Sequence, residues 1–186
     1  MSNVEAAFRN LHQDLLDGCK EGDQKAQFQI YKLYYKAMYN TSLRIVNDTM
    51  EAEDIMQESF LSAFEKIDTY SGTVSFGAWL KKIVVNRSLD ALNKRKGIFE
   101  DIDTHTGLRD DSDDEFSRSE ELDVRVEEVK EAIERLPDGY RIILSLYLLE
   151  GYDHDEIAEI LSINSSTSRS QLSRAKQKLL AELKKK

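Results

Sequence analysis

Between Ser165 and Lys178 short hydroxyl side chains alternate with cations: Ser165, Ser166, Thr167, Ser170 and Ser173 stand among Arg169, Arg174, Lys176 and Lys178. Small polar residues let a backbone approach a polar surface closely, and guanidinium groups bond bidentately to phosphate and to guanine. Leu172, Ala175 and Leu179 recur at helical spacing, so this helix has an apolar face and a cationic one. Just upstream, Asp153-His154-Asp155-Glu156 has the spacing of a capping box, and Ile157, Ala158 and Leu161 form a second apolar stripe. Ala158 is small enough for two helices to cross closely, Ser162-Ile163-Asn164 makes the turn, and Asn164 is the expected cap of the following helix. The segment therefore predicts a helix-turn-helix that lays its second helix on double-stranded DNA. Ser166, Thr167, Arg169, Ser170, Ser173, Arg174 and Lys176 are the candidate contacts, early residues for bases and later ones for phosphates.

Other chemistry is poorly supported. His12, His105 and His154 sit in no metal-ligand spacing, no glycine-rich loop could cradle a phosphate, and Cys19 has no evident base. Cys19 reads as a small apolar filler near a helix end; a single cysteine excludes an internal disulfide framework and fits a reducing cytoplasm. Asp110 to Glu115 is rich in acids but lacks the alternating ligands, turn glycine and closing glutamate of a calcium loop. The expectation is a protein without cofactor, metal or catalytic residues.

The charge map supports DNA binding despite a formal net charge of −9. From Glu100 to Asp123 eleven acids face Arg109 and Arg118, which accounts for the whole excess. Trp79 to Gly97 is locally +5 and Ser162 to Lys186 locally +6. Two separated basic helices are the footprint of a chain that grips phosphates twice.

These elements must be positioned by a largely helical chain. One proline, few glycines and abundant Ala, Leu, Ile, Glu, Lys and Gln favour an all-α fold, and 186 residues suffice for two small domains. Ala26, Ile30, Leu33 and Ala37 predict one helix, and Asn47 and Asp48 a break and a new cap. Ala52, Ile55, Met56, Phe60, Ala63, Phe64 and Ile67 predict the next, with Glu51, Glu53, Asp54 and Glu58 on its acidic face. Asp68 to Thr73 forms a loop before a helix from about Ser75 to Arg95, apolar at Phe76, Leu80, Ile83 and Val84. Trp79, among helical apolar residues, reads as core rather than as a base-stacking platform. Residues 98–121 carry no period and few apolar groups, and read as a flexible acidic linker extended by self-repulsion. Leu122, Val126, Val129 and Ile133 begin a second domain, Pro137 stops that helix, and a further one, with Ile142, Ile143, Leu146 and Leu149, ends at Gly151. No apolar run is long enough to cross a bilayer, and Ser2 to Asp17 lacks the basic start and apolar centre of a signal peptide.

Leu136-Pro137, Arg141, Leu144, Glu150-Gly151, Asp155-Glu156-Ile157-Ala158 and Leu172-Ser173-Arg174-Ala175-Lys176 together resemble region 4 of bacterial RNA polymerase sigma factors of the extracytoplasmic-function (ECF) group. Ala52-Glu53-Asp54-Ile55-Met56-Gln57-Glu58-Ser59-Phe60 resembles the polymerase-binding helix of region 2. Phe76-Gly77-Ala78-Trp79-Leu80, followed by Ile83, Asn86 and Asp90, resembles its promoter-melting segment. The resemblance implies a factor that binds core polymerase and reads −35 and −10 promoter elements, with region 2 in 1–97 and region 4 in 122–186. Its implied partners are core RNA polymerase (the largest-subunit coiled coil and the flap region), duplex promoter DNA, the melted strand and, as for many of the group, an anti-sigma factor. Glu53, Asp54, Gln57 and Glu58 would meet polymerase. Tyr70, Thr73, Phe76, Lys81, Lys82, Asn86, Arg87 and Arg95 would meet the −10 element, and the basic helix the −35 element. The linker would thread toward the active-site cleft. Ser162 replaces the family's usual turn glycine, and Ser168 its usual valine. The rival reading at this point is a stand-alone helix-turn-helix regulator with an N-terminal sensor or dimer module.

Overall fold

The computed structural model describes residues 12–96 and 126–184. These are helices joined by turns, with no strand among the described residues. The chain divides into two compact units, Met1–Lys94 and Arg95–Lys186. The acidic linker expected at 98–121 lies outside the described residues, as does Leu122.

In the first unit α1 spans Gln13–Lys20, α2 Gln24–Val46, α3 Thr49–Glu65 and α4 Phe76–Lys96, with a 3-10 turn at Ile67–Thr69. The break after α2 follows from local chemistry. Asn47 adopts the left-handed conformation (φ 55°), which asparagine tolerates better than most residues, and Asp48 caps α3 by accepting the Glu51 N–H at 2.9 Å. Ile30, Met38, Met56, Phe60, Ala63, Phe76, Leu80 and Val84 form the core. Cys19 packs into it, and burial followed by the nearby Asp23 pushes its thiol pKa up, as suits a filler rather than a nucleophile.

The buried face of α2 departs from the simple spacing. Ala26 and Ile30 are buried, but Leu33 and Ala37 are exposed, and the line continues through half-buried Tyr34 to Met38, Thr41, Ser42 and Ile45. Positions 33 and 34 both lie beside 30 at about 100° per residue. The larger ring takes the inward place, where Tyr34 meets Phe76 edge-on at 5.5 Å. Gly77 belongs to the same contact: a Cβ there would lie 2.9 Å from the Tyr34 ring, so the absent side chain lets α4 start directly against α2. Further along, the Ser88 hydroxyl lies 2.9 Å from that of Ser42 and joins the two helices inside the core.

In the second unit α5 spans Val126–Glu134, α6 Asp138–Leu144, α7 His154–Leu161 and α8 Ser165–Leu183. The core gathers Ala132, Ile133, Leu136, Ile142, Ile143, Leu146, Ile157, Leu161, Leu172, Ala175 and Leu179, and α8 packs on α5, α6 and α7. Of the apolar positions expected on α5, Ile133 is buried, Val129 half-buried and Val126 exposed, and Ala132 joins Ile133 in the core. The helix after Pro137 does not stay α-helical to Gly151. Residues Ser145–Leu149 widen into a π turn, with the Glu150 N–H bonded to the Ser145 carbonyl, so Leu149 is only half-buried. Gly151 then takes the left-handed conformation (φ 79°) that closes the element. Arg141 is 2% exposed and is neutralised by an ion pair with Asp138 one turn back.

Candidate nucleic-acid interface

The helix-turn-helix is locked at its first helix. Asp153 Oδ1 accepts from the N–H groups of Asp155 and Glu156 at 2.9 and 2.8 Å, while Glu156 Oε2 accepts from the Asp153 N–H at 2.9 Å. This is the capping box read from the sequence. The turn is made with Ser162 at φ 55°, a left-handed serine where glycine would be unstrained. Asn164 holds the N-cap position of α8 but its side chain makes no capping bond. The Ser165 hydroxyl instead donates to Asp155 Oδ1 at 2.7 Å, tying the start of α8 to the first turn of α7.

On α8 the structure sorts the candidate contacts. Ser166, Arg169, Ser170 and Ser173 are exposed, and their spacing places them on one face. Thr167, Arg174 and Lys176 are half-buried at its margins, and Gln177, absent from the sequence reading, extends the face by a turn. Lys176 Nζ lies 5.7 Å from the centre of the Tyr147 ring, so its stem is anchored before any phosphate arrives. Tyr152, beside the capping box, has its phenol pushed up to about 12 by burial, then by Glu150 and Glu156, so it stays neutral.

Ser168 is fully buried, and its hydroxyl lies 2.9 Å from Nδ1 of His154. The imidazole also stacks on Tyr147, at 5.0 Å and 26°. Burial, then Arg169 and Lys176, hold its pKa below the usual histidine value against the opposite pull of Asp153 and Asp155.

On α3, Glu53, Asp54, Gln57 and Glu58 are all exposed, while Ala52, Ile55, Met56 and Ser59 point inward. The Gln57 amide donates to Glu53 at 3.3 Å. Met50 and Leu61, 78% and 64% exposed, flank the acids at either end. Sequence reasoning passed over both, although Met50, Asp54, Gln57 and Leu61 have the spacing of a single helix face.

The α4 candidates do not form one surface. Lys82 and Asn86 are exposed and one turn apart, with Lys81 half-buried beside them and Arg95 exposed at the far end. Arg87 points to α3 instead, where its Nη1 donates to Glu58 Oε2 at 2.9 Å. Tyr70 and Phe76 are 7% and 1% exposed: they sit in the core, edge to face at 5.6 Å, and Trp79 packs against both. The Tyr70 hydroxyl donates to the Val74 carbonyl at 2.6 Å and folds the loop over itself. Ser71, Thr73, Val74 and Ser75 are left exposed at its tip, with Ser71 and Thr73 hydroxyls 3.0 Å apart.

The units carry recognisable sequence signatures. Residues 30–98 match the Sigma-70 region 2 family, and residues 126–179 match Sigma-70, region 4. The ECF RNA polymerase sigma factor SigW of Bacillus subtilis is 30% identical over 176 residues, covering 88% of this chain and 92% of the relative. The ECF RNA polymerase sigma-E factor of Haemophilus influenzae is 31% identical over 176 residues, covering 89% and 91%. Two solved structures share the fold. The sigma factor RpoE of Bartonella quintana, in complex with the anti-sigma factor NepR, aligns with a TM-score of 0.56 at 22% identity, covering 84% of this chain and 95% of that one. CnrH, in complex with the cytosolic domain of CnrY, aligns with a TM-score of 0.56 at 20% identity, covering 93% and 97%. A stand-alone regulator would have no need of a region 2 unit, and that reading is not favoured. With both regions present in order, and relatives aligned over nearly their whole length, the chain belongs to the ECF group of RNA polymerase sigma factors.

Proposed function

We propose that this promoter-recognising initiation factor divides its work among three surfaces. The acidic face of α3, Glu53, Asp54, Gln57 and Glu58, with Met50 and Leu61 at its ends, docks on the coiled coil of the largest polymerase subunit. Charge there sets orientation and on-rate, and the exposed apolar ends supply burial. The loop tip around Thr73, with Lys82 and Asn86, receives the opened −10 strand. Extruding a base costs a few kcal/mol, and a loop already folded by Tyr70 and Phe76 meets it without further ordering. Lys81, Arg87 and Arg95 hold the backbone. In region 4, Ser166, Arg169, Ser170 and Ser173 read the −35 element, while Thr167, Arg174 and Lys176 grip flanking phosphates beside the polymerase flap.

The observation that carries this reading is the uninterrupted exposed face Ser166, Arg169, Ser170, Ser173 on a helix anchored by a complete capping box. Residues 1–97 and 122–186 then act as two domains joined by an acidic linker at 98–121, in the cytoplasm and without enzymatic activity of their own. No helix among the described residues is long and apolar enough to cross a membrane. The complex of RpoE with the anti-sigma factor NepR supports an anti-sigma factor as a further partner.

Reconstitution with core polymerase and genome-wide mapping of transcription starts tests the proposal. Starts should share paired upstream and downstream elements; Arg169→Ala should weaken dependence on the upstream one, and Asn86→Ala strand opening at the downstream one. Charge reversal at Asp54 should weaken polymerase binding itself. Starts without a shared upstream element would count against the α8 assignment.

A further inference from the structure

A fully buried hydroxyl left without a hydrogen-bond partner costs free energy. Ser59 and Ser88, also fully buried, donate to the carbonyl one turn back, Ile55 at 2.6 Å and Val84 at 2.8 Å. Ser88 also meets the Ser42 hydroxyl across two helices at 2.9 Å, whereas the Ser168 hydroxyl is paired with a ring nitrogen, Nδ1 of His154, fourteen residues away on the neighbouring helix. If the hydroxyl donates, Nδ1 is the acceptor and the ring proton sits on Nε2. The ring is held from a second side by its stack on Tyr147, and Tyr147 also faces the Lys176 ammonium. One imidazole thus touches α8 directly at Ser168, next to the reading residue Arg169, and indirectly at Lys176, two turns later.

We propose that His154 is a positioning residue for −35 reading, a neutral Nε2–H imidazole that sets the rotation of α8 on α7 through Ser168. An apolar pair in this place would fill space but would tolerate sliding and rotation. A hydrogen bond between two atoms fixes both, and in a buried setting its loss leaves a polar group unsatisfied. The direction of the His154 pKa agrees, because a charged ring would have no acceptor at Nδ1 to offer. The proposal rests on the reading of α8 as the −35 reader, and its test separates the two.

The full chain, bound to core polymerase, is assayed for binding to a mapped promoter and to the same promoter with its −35 element replaced. His154→Phe keeps a ring for Tyr147 but loses the bond. It should reduce discrimination between the two promoters about three- to tenfold, the net worth of one hydrogen bond. His154→Asn places an amide near the former Nδ1 and should restore most of it. Far-ultraviolet dichroism checks that each variant is folded. If His154→Phe discriminates as well as the unaltered chain while Arg169→Ala does not, the proposal is overturned alone. If neither variant changes discrimination, the −35 role of α8 falls with it. A long-range nitrogen–proton spectrum of the full chain gives an independent arm: the Nε2–H tautomer supports the proposal, and the Nδ1–H tautomer overturns it.

Discussion

Glu58 Oε2 accepts a hydrogen bond from Arg87 Nη1 at 2.9 Å, joining a residue of the proposed polymerase-docking face to one of the proposed strand-binding helix. Both side chains remain partly exposed, 65% for Glu58 and 38% for Arg87, so the pair adds at most about 1 kcal/mol to stability. Its interest lies in the competition it sets up. Polymerase docking on α3 would engage Glu58 and release Arg87 toward a DNA phosphate.

Glu58→Gln should therefore raise the affinity of the free chain for single-stranded DNA by about two- to fivefold at low salt. The rise should shrink as ionic strength increases. Glu65→Gln removes the same charge from the same helix and should have a smaller effect. Fluorescence anisotropy on a labelled oligonucleotide measures all three proteins; equal rises for the two variants would show that only net charge matters.

Ser162→Gly should stabilise the second unit by about 0.5–1 kcal/mol. It removes the cost of a left-handed serine and gives back part of the gain through greater freedom in the unfolded chain. Amide hydrogen exchange along α7 and α8 reports the change locally, and slower exchange is the expected result. Faster exchange would mean that the serine contributes something its backbone angle does not reveal.

Acid should loosen α8. The folded-state pKa of His154 lies below its ordinary 6.5, so between those two values the unfolded chain holds more protons than the folded one. The contribution is complete above 6.5 and is lost as pH falls from there through the lower folded-state value. The groups facing the ring set the balance: Tyr147, Asp153 and Asp155, and Arg169 and Lys176 on α8. His154→Asn should flatten this part of the dependence of α8 hydrogen exchange on pH, leaving only the slope of other groups.

Replacing Asp110, Asp111, Asp113, Asp114 and Glu115 by their amides removes most of the acidic excess of residues 100–123. A strongly acidic segment in the template channel would imitate nucleic acid until RNA displaces it. The expected outcome is an altered ratio of abortive to full-length transcripts with polymerase affinity unchanged. An unaltered ratio would remove the linker from promoter escape.

What was legible in the sequence is what short-range chemistry decides. Asp48, Asp153 with Glu156, and Gly151 end or begin helices through bonds within a few residues, and the structure has each in that role. The central apolar stripes, Ala52, Ile55, Met56, Phe60 and Ala63 on α3 and Leu172, Ala175 and Leu179 on α8, followed from period alone. Contacts across helices were not legible in this way. His154 and Ser168 are each unremarkable polar residues until α7 and α8 cross, and Glu58 and Arg87 lie 29 positions apart. The resemblance implies Tyr70 and Phe76 as strand contacts, yet rings of that size are drawn into the core, and the small residues between them keep the surface. Met50 and Leu61 were missed for the opposite reason: a search for complementary charge does not register exposed apolar side chains.

The bond from the Tyr70 hydroxyl to the Val74 carbonyl gives the loop proposed to receive the −10 strand a shape set by its own residues. Freezing a flexible loop of that length would subtract several kcal/mol from strand capture. The Tyr70–Val74 bond would place part of that cost in folding, where it is common to every promoter. Differences in promoter strength downstream of recognition should then track how readily each DNA opens rather than how well it moulds the protein. If the loop does receive the −10 strand, this chain would rank its promoters by their melting, with the loop as a fixed gauge.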